Sequence, residues 1–512
     1  MAVITVTSSA DSGGGTLRRA VEDASPGDII QFLNSISAIV LAEEIRIDKK
    51  LTINGLGSDK LIINGNNQSR IFKIGSNADV SIRDLSIIRG QGSGDYGGGA
   101  ILVEEGDLTI TNTTISQSTS KYGGAITNID GSLTINNCTI SNNSSEESGG
   151  AIATAGWLDI TNSLFSENKS VYGGAIDNEM MITINNSTFA ANHAGSSGGA
   201  IRNHGTITIT NSTLSANSSN DTGGALSNSY SGDSSGFTTI INSTLSNNYA
   251  ANAGGAIYNF GKLHVSFSTI AENSAPSGAG IYSSYLISRI IVAVRNSIIA
   301  NAKPNCGGEG HIDASGVNFS TDSSCNCTGV TVVTEDDLKL QKLALNSPGS
   351  TETHALSTGS VAIDAARVCK DLDGKDVTID QRGVIRPQLK ACDAGAYELE
   401  RPVANFTITP NPALARRLVT FDATSSTGAI TEYLWDFGDG TKGSGPVVTH
   451  QYTAASKYEV TLTVTYNVQF PDQITNTVLV VRMPQVRYNR IHSRAKSRRR
   501  LVILLYYMRS LC

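Results

Sequence analysis

A four-residue motif, Gly-Gly-Ala-Ile or a close variant, recurs eight times between Gly98 and Ile281. Successive copies start 25, 26, 24, 25, 25, 31 and 24 residues apart, and a nearly fixed period of this length is the signature of a repeat protein. Each unit holds two further short stretches, such as residues 133–135 and 138–140, in which apolar and polar residues alternate. Such alternation predicts strands with one buried face. The sequence therefore predicts an all-β coil of parallel strands, three per turn, with one turn per repeat.

Three columns of Asn residues accompany the repeat. Asn side chains stacked about 4.8 Å apart can pass hydrogen bonds along the stack, and Asn tolerates the left-handed backbone of a tight corner. We interpret the columns as structural ladders; the alternative, since many of these residues lie in Asn-x-Ser/Thr, is that some accept N-glycans. The columns are Asn112, Asn137, Asn162, Asn186, Asn211 and Asn242; then Asn143, Asn168, Asn192, Asn217, Asn248, Asn273 and Asn301; and Asn128, Asn178, Asn203, Asn228 and Asn259.

The full repeat, Gly-Gly-Ala-Ile followed by Leu-Thr-Ile-x-Asn-Ser-Thr-Ile-Ser-x-Asn, resembles the repeats of pectate-lyase-like and polymorphic outer-membrane-type surface proteins. The resemblance covers roughly residues 30–300 and implies a right-handed, single-stranded parallel β-helix. It does not imply one activity, because this fold hosts lyases, hydrolases and adhesins.

The N-terminal region, residues 1–30, is predicted to cap the coil. Residues 16–25 place Leu17, Ala20, Val21 and Ala24 on one face of a short helix, which we expect to cover the first turn. Residues 5–30 resemble the N-terminal motif of bacterial surface β-helix proteins named for Cys-Ser-Leu-Arg-Glu-Ala, although the Cys is missing here. We expect no export signal within this chain, and no apolar run reaches the length of a transmembrane span.

The C-terminal half contains two further segments. Residues 362–398 resemble the choice-of-anchor segment that ends many exported bacterial β-helices, and we predict that the β-helix domain runs over residues 31–398 and includes it. Residues 402–482 hold about seven short strands and the motif Trp-Asp-Phe-Gly-Asp-Gly, which together resemble an Ig-like β-sandwich of the PKD type. The basic segment 483–512 is expected to be a disordered tail.

The cysteines predict disulfide bonds, and three closely spaced aspartates suggest a calcium site. Cys369 with Cys392, and Cys306 with either Cys325 or Cys327, are the predicted disulfides of an exported protein, whereas Cys138 reads as a small core residue. The spaced carboxylates of Asp371, Asp373 and Asp376 would suit calcium, with a charged surface turn as the alternative. No other cofactor is expected.

Candidate site residues come from one strand position, the residue after the repeated Ile. Its occupants are Leu102, Thr127, Ala153, Asp177, Arg202, Ser227, Tyr258 and Tyr282. Asp177 and Arg202 on adjacent turns predict a cross-strand ion pair; the alternative joins them with Asp159 in a catalytic patch. Tyr258 and Tyr282 predict a flat platform for a sugar or a protein partner, with packing under the loop of residues 276–290 as the alternative.

The charge distribution argues against a nucleic-acid partner. The chain carries −6 overall, and its nine Lys and Arg from Arg482 onward leave residues 1–481 with 30 basic and 45 acidic side chains. We predict an exported or cell-surface, non-catalytic binding or adhesion protein, extracellular in location, whose partner is a cell-surface glycan or protein. The alternative is a polysaccharide lyase or glycoside hydrolase of the pectate-lyase-like type.

Overall fold

The computed structural model describes residues 1–94, 96–231, 234–284, 292–466 and 470–482, so the predicted tail at 483–512 lies outside the described residues. The chain divides into two compact units, Met1–Arg401 and a second unit that begins at Pro402. The first unit is a coil of stacked parallel strands, which confirms the predicted β-helix. Among the described residues no helix is both long and apolar enough to cross a membrane.

Two of the sheets meet at the corner that follows each Gly-Gly-Ala-Ile strand, for example at residues 179–180. In the described part of the chain, sheet 1 has 13 strands: Val3–Val6, Asp28–Phe32, Leu51–Asn54, Asp79–Arg83, Asp107–Thr111, Ser132–Asn136, Trp157–Thr161, Met181–Asn185, Thr206–Thr210, Phe237–Ile241, Lys262–Ser266, Val292–Arg295 and Ile312–Ser315. Sheet 2 has 11: Ile45–Ile47, Phe72–Ile74, Ile101–Glu104, Ile126–Ile129, Ile152–Thr154, Ile176–Asn178, Ile201–Asn203, Leu226–Asn228, Ile257–Asn259, Ile281–Ser283 and Cys306–Gly307.

Two further sheets complete the turns. Sheet 3 contains the 13 described strands Ala38–Val40, Ile62–Asn64, Ser86–Ile88, Thr114–Ser116, Thr139–Ser141, Leu164–Ser166, Thr188–Ala190, Thr213–Ser215, Thr244–Ser246, Thr269–Ala271, Ile298–Ala300, Asn318–Ser320 and Val330–Val332. Sheet 4 contains Thr119–Tyr122, Ser144–Ser148, Lys169–Tyr172, His193–Ser197, Ser218–Ser219 and Tyr249–Ala250. The predicted three strands per turn therefore become four in the central turns, where a short strand precedes each Gly-Gly motif. Tyr230–Ser231 and Ser234–Ser235 form a small antiparallel pair.

The Gly-Gly corner explains why the motif recurs. Gly173 has φ of +59°, a left-handed backbone conformation that Gly adopts more readily than residues with a Cβ atom. Gly174 instead lies directly under the next turn, where a Cβ atom would be 2.0 Å from the carbonyl oxygen of Gly199. The first Gly is thus required for conformation and the second for the close approach of neighbouring turns.

The two roles predicted for the Asn residues, left-handed corners and hydrogen-bonded ladders, belong to different columns. The first column forms the left-handed corners, with φ of +50° at Asn112 and +51° at Asn186. The second column is buried and bonded from turn to turn: Asn192 Nδ2 donates to Asn217 Oδ1 at 2.9 Å, and Asn217 Nδ2 donates to Asn248 Oδ1 at 2.9 Å. The buried column is therefore a structural ladder and offers no accessible amide to a glycan.

The N-terminal helix covers the first turn of the coil. It spans Leu17–Asp23 and begins at Thr16, whose side chain accepts the N–H of Arg19. Leu17 and Val21 join the continuous apolar core of the coil. Lys49 Nζ donates to the carbonyl oxygens of Ala24 at 2.8 Å and Val21 at 3.1 Å, which neutralises the partial negative charge at the helix end.

The coil ends earlier than predicted. Its last strand is Val330–Val332, and residues 334–400 then run back along the outside of sheet 3 instead of adding turns up to residue 398. This segment, which we call the flanking segment, contains the short helix Glu335–Leu338 and the antiparallel strands Leu340–Ala344 and Thr353–Leu356.

Hydroxyl groups on sheet 3 hold the flanking segment. Gln381 Oε1 accepts from Thr244 Oγ1 at 2.6 Å, and its Nε2 donates to Thr213 Oγ1 at 2.8 Å. Arg386 is fully buried, pairs with Glu398 at 3.0 Å and lies over the ring of Phe267. The Thr side chains on adjacent strands of sheet 3 are small and offer hydroxyl groups. Residues 362–398 can therefore pack against this face and form hydrogen bonds with it, beside the coil and not as further turns.

Both predicted disulfides are present. Cys369 bonds to Cys392, and Cys306 bonds to Cys325, which settles the alternative left open by Cys327. Cys327 is a partly buried free thiol. Cys138 is buried, as expected of a core residue, and burial raises the pKa of its thiol to about 11.

The second unit is a β-sandwich. One sheet contains Thr407–Thr409, Leu418–Asp422 and Val447–Gln451; the other contains Ala413–Leu414, Phe470–Val481, Ser456–Tyr466, Glu432–Asp436 and Lys442–Ser444. Trp435 and Phe437 of the Trp-Asp-Phe-Gly-Asp-Gly motif are both buried in its core. The indole Nε1 of Trp435 donates to Gly445 O at 2.9 Å, so the motif fixes the following turn as well as the core.

Candidate ligand-binding groove

The strand position after the repeated Ile forms one column on the outer face of sheet 2. Consecutive residues of the column are register partners, including Asp177 with Arg202 and Tyr258 with Tyr282. A groove of about 360 Å³ runs along part of this column. Its lining comprises Tyr96, Tyr122, Thr127, Asn128, Ile129, Ser148, Ala153, Thr154, Ala155, Asp177, Glu179 and Arg202. Side chains from the ends of sheet 4 and from the corner between sheets 2 and 1 therefore form its walls.

The groove floor contains the cross-strand ion pair considered from the sequence. Arg202 Nε lies 2.5 Å from Asp177 Oδ1, and its Nη2 lies 2.6 Å from Oδ2. The guanidinium also stacks over the ring of Tyr172, 4.3 Å from its centroid. Asp177 is buried, so this bidentate pair is well shielded from water.

Asp159 does not join this pair. It lies on the outward face of sheet 1, where Thr134 and Thr183 are its register partners, while Asp177 and Arg202 lie on sheet 2. The catalytic patch that the sequence analysis considered from all three residues is therefore not assembled. The reason is that Asp159 follows the corner between the two sheets, and its strand faces another side of the coil.

Two further ionisable residues, Glu179 and His204, lie close to Asp177 at the corner after sheet 2. Asp177, Glu179 and His204 each offer one ligand atom, and these atoms lie within 4.8 Å of one another. Partial desolvation and the neighbouring charge of Asp177 raise the pKa of Glu179, while desolvation and Arg202 lower the pKa of His204. Two carboxylate oxygens and a ring nitrogen are atoms that can coordinate or accept hydrogen bonds from a cation.

The sequence analysis missed Glu179 and His204 because they occupy the corner after sheet 2. The sequence does contain a signal for them. Each directly follows an Asn of the third column: Glu179 follows Asn178, and His204 follows Asn203. They belong to the same two turns as Asp177 and Arg202, so reading that corner position as a second column would have found them.

Tyr258 and Tyr282 form the predicted stack farther along the column. Their ring centroids are 5.3 Å apart and their planes differ by 5°. Both side chains are half-buried, and burial is the main cause that raises the pKa of Tyr258. Residues 285–291 of the loop invoked by the alternative interpretation lie outside the described residues.

The three aspartates considered for calcium have separate partners. Asp371 Oδ1 accepts the backbone N–H groups of Asp373 and Lys375 at 2.9 and 2.8 Å. Asp376 pairs with Lys370 at 2.7 Å, and Asp373 faces His264 at 3.9 Å. These contacts describe a charged surface turn, and calcium binding there stays a prediction.

Family models match two parts of the chain. The model described as PKD domain matches residues 399–481. The model described as Chlamydia polymorphic membrane protein repeat matches residues 137–155 and 242–259, each of which spans a Gly-Gly corner of the coil. The chain is a parallel β-helix protein with a C-terminal PKD domain.

Individual relatives of this β-helix protein cover only parts of it. Collagenase ColA of Clostridium perfringens (strain 13 / Type A) is 48% identical over 52 residues, which are 10% of this chain and 5% of the collagenase. The PKD1 domain of Vibrio anguillarum Epp is 31% identical, with 16% of this chain and 96% of that chain covered and a TM-score of 0.15.

Two further solved structures are similar to parts of the β-helix protein. A structure described under the promiscuous specificity of carbohydrate-binding modules from the β-sandwich superfamily is 35% identical, over 17% of this chain and 36% of that one, with a TM-score of 0.16. Pectate lyase Pel9A is 14% identical over 78% of this chain and 96% of its own, with a TM-score of 0.41.

Proposed function

We propose that this chain is an extracellular surface protein that binds a glycan along the outer face of sheet 2. Surface-protein repeats, a PKD domain and two disulfides support a location outside the cell. A rigid coil with a regular column of side chains along one sheet suits an extended polymer, because successive contacts repeat at the spacing of the turns.

The observation that carries the proposal is the stack of Tyr258 on Tyr282. Two parallel rings on neighbouring turns present apolar surface edged by hydroxyl groups, and a sugar ring has the complementary combination of an apolar face and a polar rim. The Asp177–Arg202 pair lies on the same column, and the partly exposed guanidinium of Arg202 can donate to sugar hydroxyls. One glycan chain lying over the column would meet both kinds of contact.

Replacing both tyrosines tests the platform. We expect Tyr258→Ala together with Tyr282→Ala to weaken glycan binding by about tenfold or more, a change of about 1.4 kcal/mol or more. Binding is measured first on a glycan array and then by calorimetry with the glycan that the array identifies. The control is Tyr249→Ala, because Tyr249 is exposed on sheet 4, away from the column. Equal binding by the double variant and the unchanged protein would contradict the proposal.

A second candidate function is hydrolysis or elimination on a polysaccharide. The carboxylates of Asp177 and Glu179 lie within 4.8 Å, and the raised pKa of Glu179 is the property expected of a general acid. Against this role, Arg202 engages both oxygens of Asp177, which leaves no free nucleophile or base at that residue.

Product formation separates the two functions. Incubation with neutral and acidic polysaccharides, with and without calcium, is followed for new reducing ends and for unsaturated products. Turnover that disappears in Glu179→Gln and in Asp177→Asn would establish the enzyme. We expect no products at substrate concentrations that saturate binding.

A further inference from the structure

We propose that the cluster of Asp177, Glu179 and His204 binds the ammonium group of an amino sugar, so that the glycan is a polymer with free amino groups. This inference rests on the proposed glycan-binding function and names its ligand class. Four features of the groove carry it: its charge, the arrangement of its acceptors, its aromatic wall and its distance from the tyrosine stack.

The charge of the groove favours a cation. Asp177, Glu179 and Arg202 are the charged residues among the described lining, and they sum to one negative charge. Arg202 is already engaged by Asp177 through two short contacts. In the part of the chain that the structure describes, no cationic group lies within ion-pair distance of Glu179. An acidic glycan would meet an uncompensated carboxylate here, whereas an ammonium group would neutralise it.

The spacing of the acceptors fits an ammonium group. A primary ammonium has three N–H donors, and hydrogen bonds of about 2.8 Å in tetrahedral directions place their acceptors about 4.6 Å apart. The atoms of Asp177, Glu179 and His204 lie within 4.8 Å of one another, which accommodates this separation.

His204 contributes one ring nitrogen to the cluster, and in the neutral ring one nitrogen is an acceptor. Its Nδ1 is buried and, among the described residues, has no hydrogen-bond partner. Desolvation and the neighbouring charge of Arg202 lower the pKa of His204, which favours the neutral ring that does not repel a cation.

Aromatic rings line the wall of the groove on other turns of the coil. Tyr96 is 60% exposed and lies on the turn three register steps from Asp177, so its ring is available to another part of the same glycan. The loop that carries it is held by the buried guanidinium of Arg70, which donates to the carbonyl oxygens of Gly97 at 2.9 Å and Gly98 at 3.0 Å. Tyr122 already has Lys121 at 5.0 Å from its centroid, and Glu147 pairs with that lysine at 3.4 Å.

The distance to the tyrosine stack favours a polymer. Asp177 and Tyr258 are three register steps apart along sheet 2, about 14 Å at the usual strand spacing. A single sugar cannot reach both contacts. A short oligosaccharide lying along the column can place its amino group on the cluster and another ring on the tyrosines.

Binding of three defined oligosaccharides to the full chain tests the inference. The probes are oligomers of glucosamine, of N-acetylglucosamine and of galacturonic acid, equal in length and measured by calorimetry at pH 6. We expect the glucosamine oligomer to bind at least about tenfold more tightly than either of the others. Glu179→Gln should bring the ratio of glucosamine to N-acetylglucosamine affinity close to one. Glu167→Gln removes the same charge from an exposed corner outside the groove and should leave that ratio unchanged.

Three results would overturn the inference. Tighter binding of galacturonate oligomers would reverse the charge argument, and equal ratios in Glu179→Gln and Glu167→Gln would remove the cluster from recognition. A rise in Tm with ZnCl2 that is absent from His204→Ala would identify a metal site instead. If N-acetylglucosamine oligomers bind through the tyrosines without any preference for amines, only this inference fails. If no glycan binds, the proposed function fails with it.

Discussion

Replacing Gly174 with Ala is expected to lower the free energy of unfolding of the coil by about 3 kcal/mol or more. The added Cβ would be 2.0 Å from Gly199 O and 2.7 Å from the backbone of His193. Backbone atoms cannot rotate away as a side chain can, and Gly174 N already donates to Gly198 O at 2.9 Å. Relief of the clash therefore requires that two turns separate and that their hydrogen bonds break.

Gly195→Ala is the matched control for this variant. At Gly195 the nearest atoms to a new Cβ are Val171 Cα at 3.6 Å and Ser170 O at 3.7 Å, which is ordinary contact distance. We expect its stability to change by at most about 1 kcal/mol, because the Cβ fits and only the unfolded chain loses freedom. Urea unfolding followed by circular dichroism measures both variants. Equal midpoints for the two would show that neighbouring turns are not packed as closely as this.

Replacing Asn217 with Ala should cost about 3 kcal/mol or more, since it leaves several buried groups of the second Asn column without partners. Asn217 Oδ1 accepts from both the N–H and the Nδ2 of Asn192. Its own Nδ2 donates to Phe189 O at 2.9 Å and to Asn248 Oδ1 at 2.9 Å. The site is fully buried, so water cannot replace these bonds without opening the coil.

The control for the ladder is Asn220→Ala, three residues further along the same turn. Asn220 is exposed, and its backbone N–H bond to Ala194 O does not depend on the side chain. We expect its effect to stay within about 0.5 kcal/mol, as for an ordinary surface residue. Loss of protection from hydrogen exchange at the backbone N–H of Asn192, which donates to Asn217 Oδ1, in Asn217→Ala but not in Asn220→Ala is the second readout. A ladder variant as stable as the control would assign the stability of the coil to its apolar core alone.

Much of the column on the outer face of sheet 2 could be predicted, because residues one repeat apart in a regular coil become neighbours in space. Residues one repeat apart are neighbours, so Asp177 meets Arg202 and Tyr258 meets Tyr282. Asp159 fails the same test, because its place after a corner changes the face on which it lies.

Strand register does not predict where the side chains of the corner residues Glu179 and His204 point. Glu179 and His204 lie where the backbone turns, and the direction of a side chain at a corner depends on its own φ and ψ and not on strand alternation. Tyr96 lies in a loop that Arg70, more than twenty residues earlier, holds through the carbonyl oxygens of Gly97 and Gly98, a contact that the repeat does not predict.

The repeat period predicted the coil and the Asn ladders, because these depend on contacts between residues in adjacent turns. The capping helix was predicted from the spacing of its apolar residues, and the PKD unit from the resemblance of its Trp-Asp-Phe-Gly-Asp-Gly motif. The flanking segment is different: Gln381 bonds to Thr213 and Thr244, residues 168 and 137 positions away. Non-repeating contacts of that separation leave no period in the amino-acid order, so the end of the coil at Val332 and the position of the flanking segment were decided by tertiary packing alone.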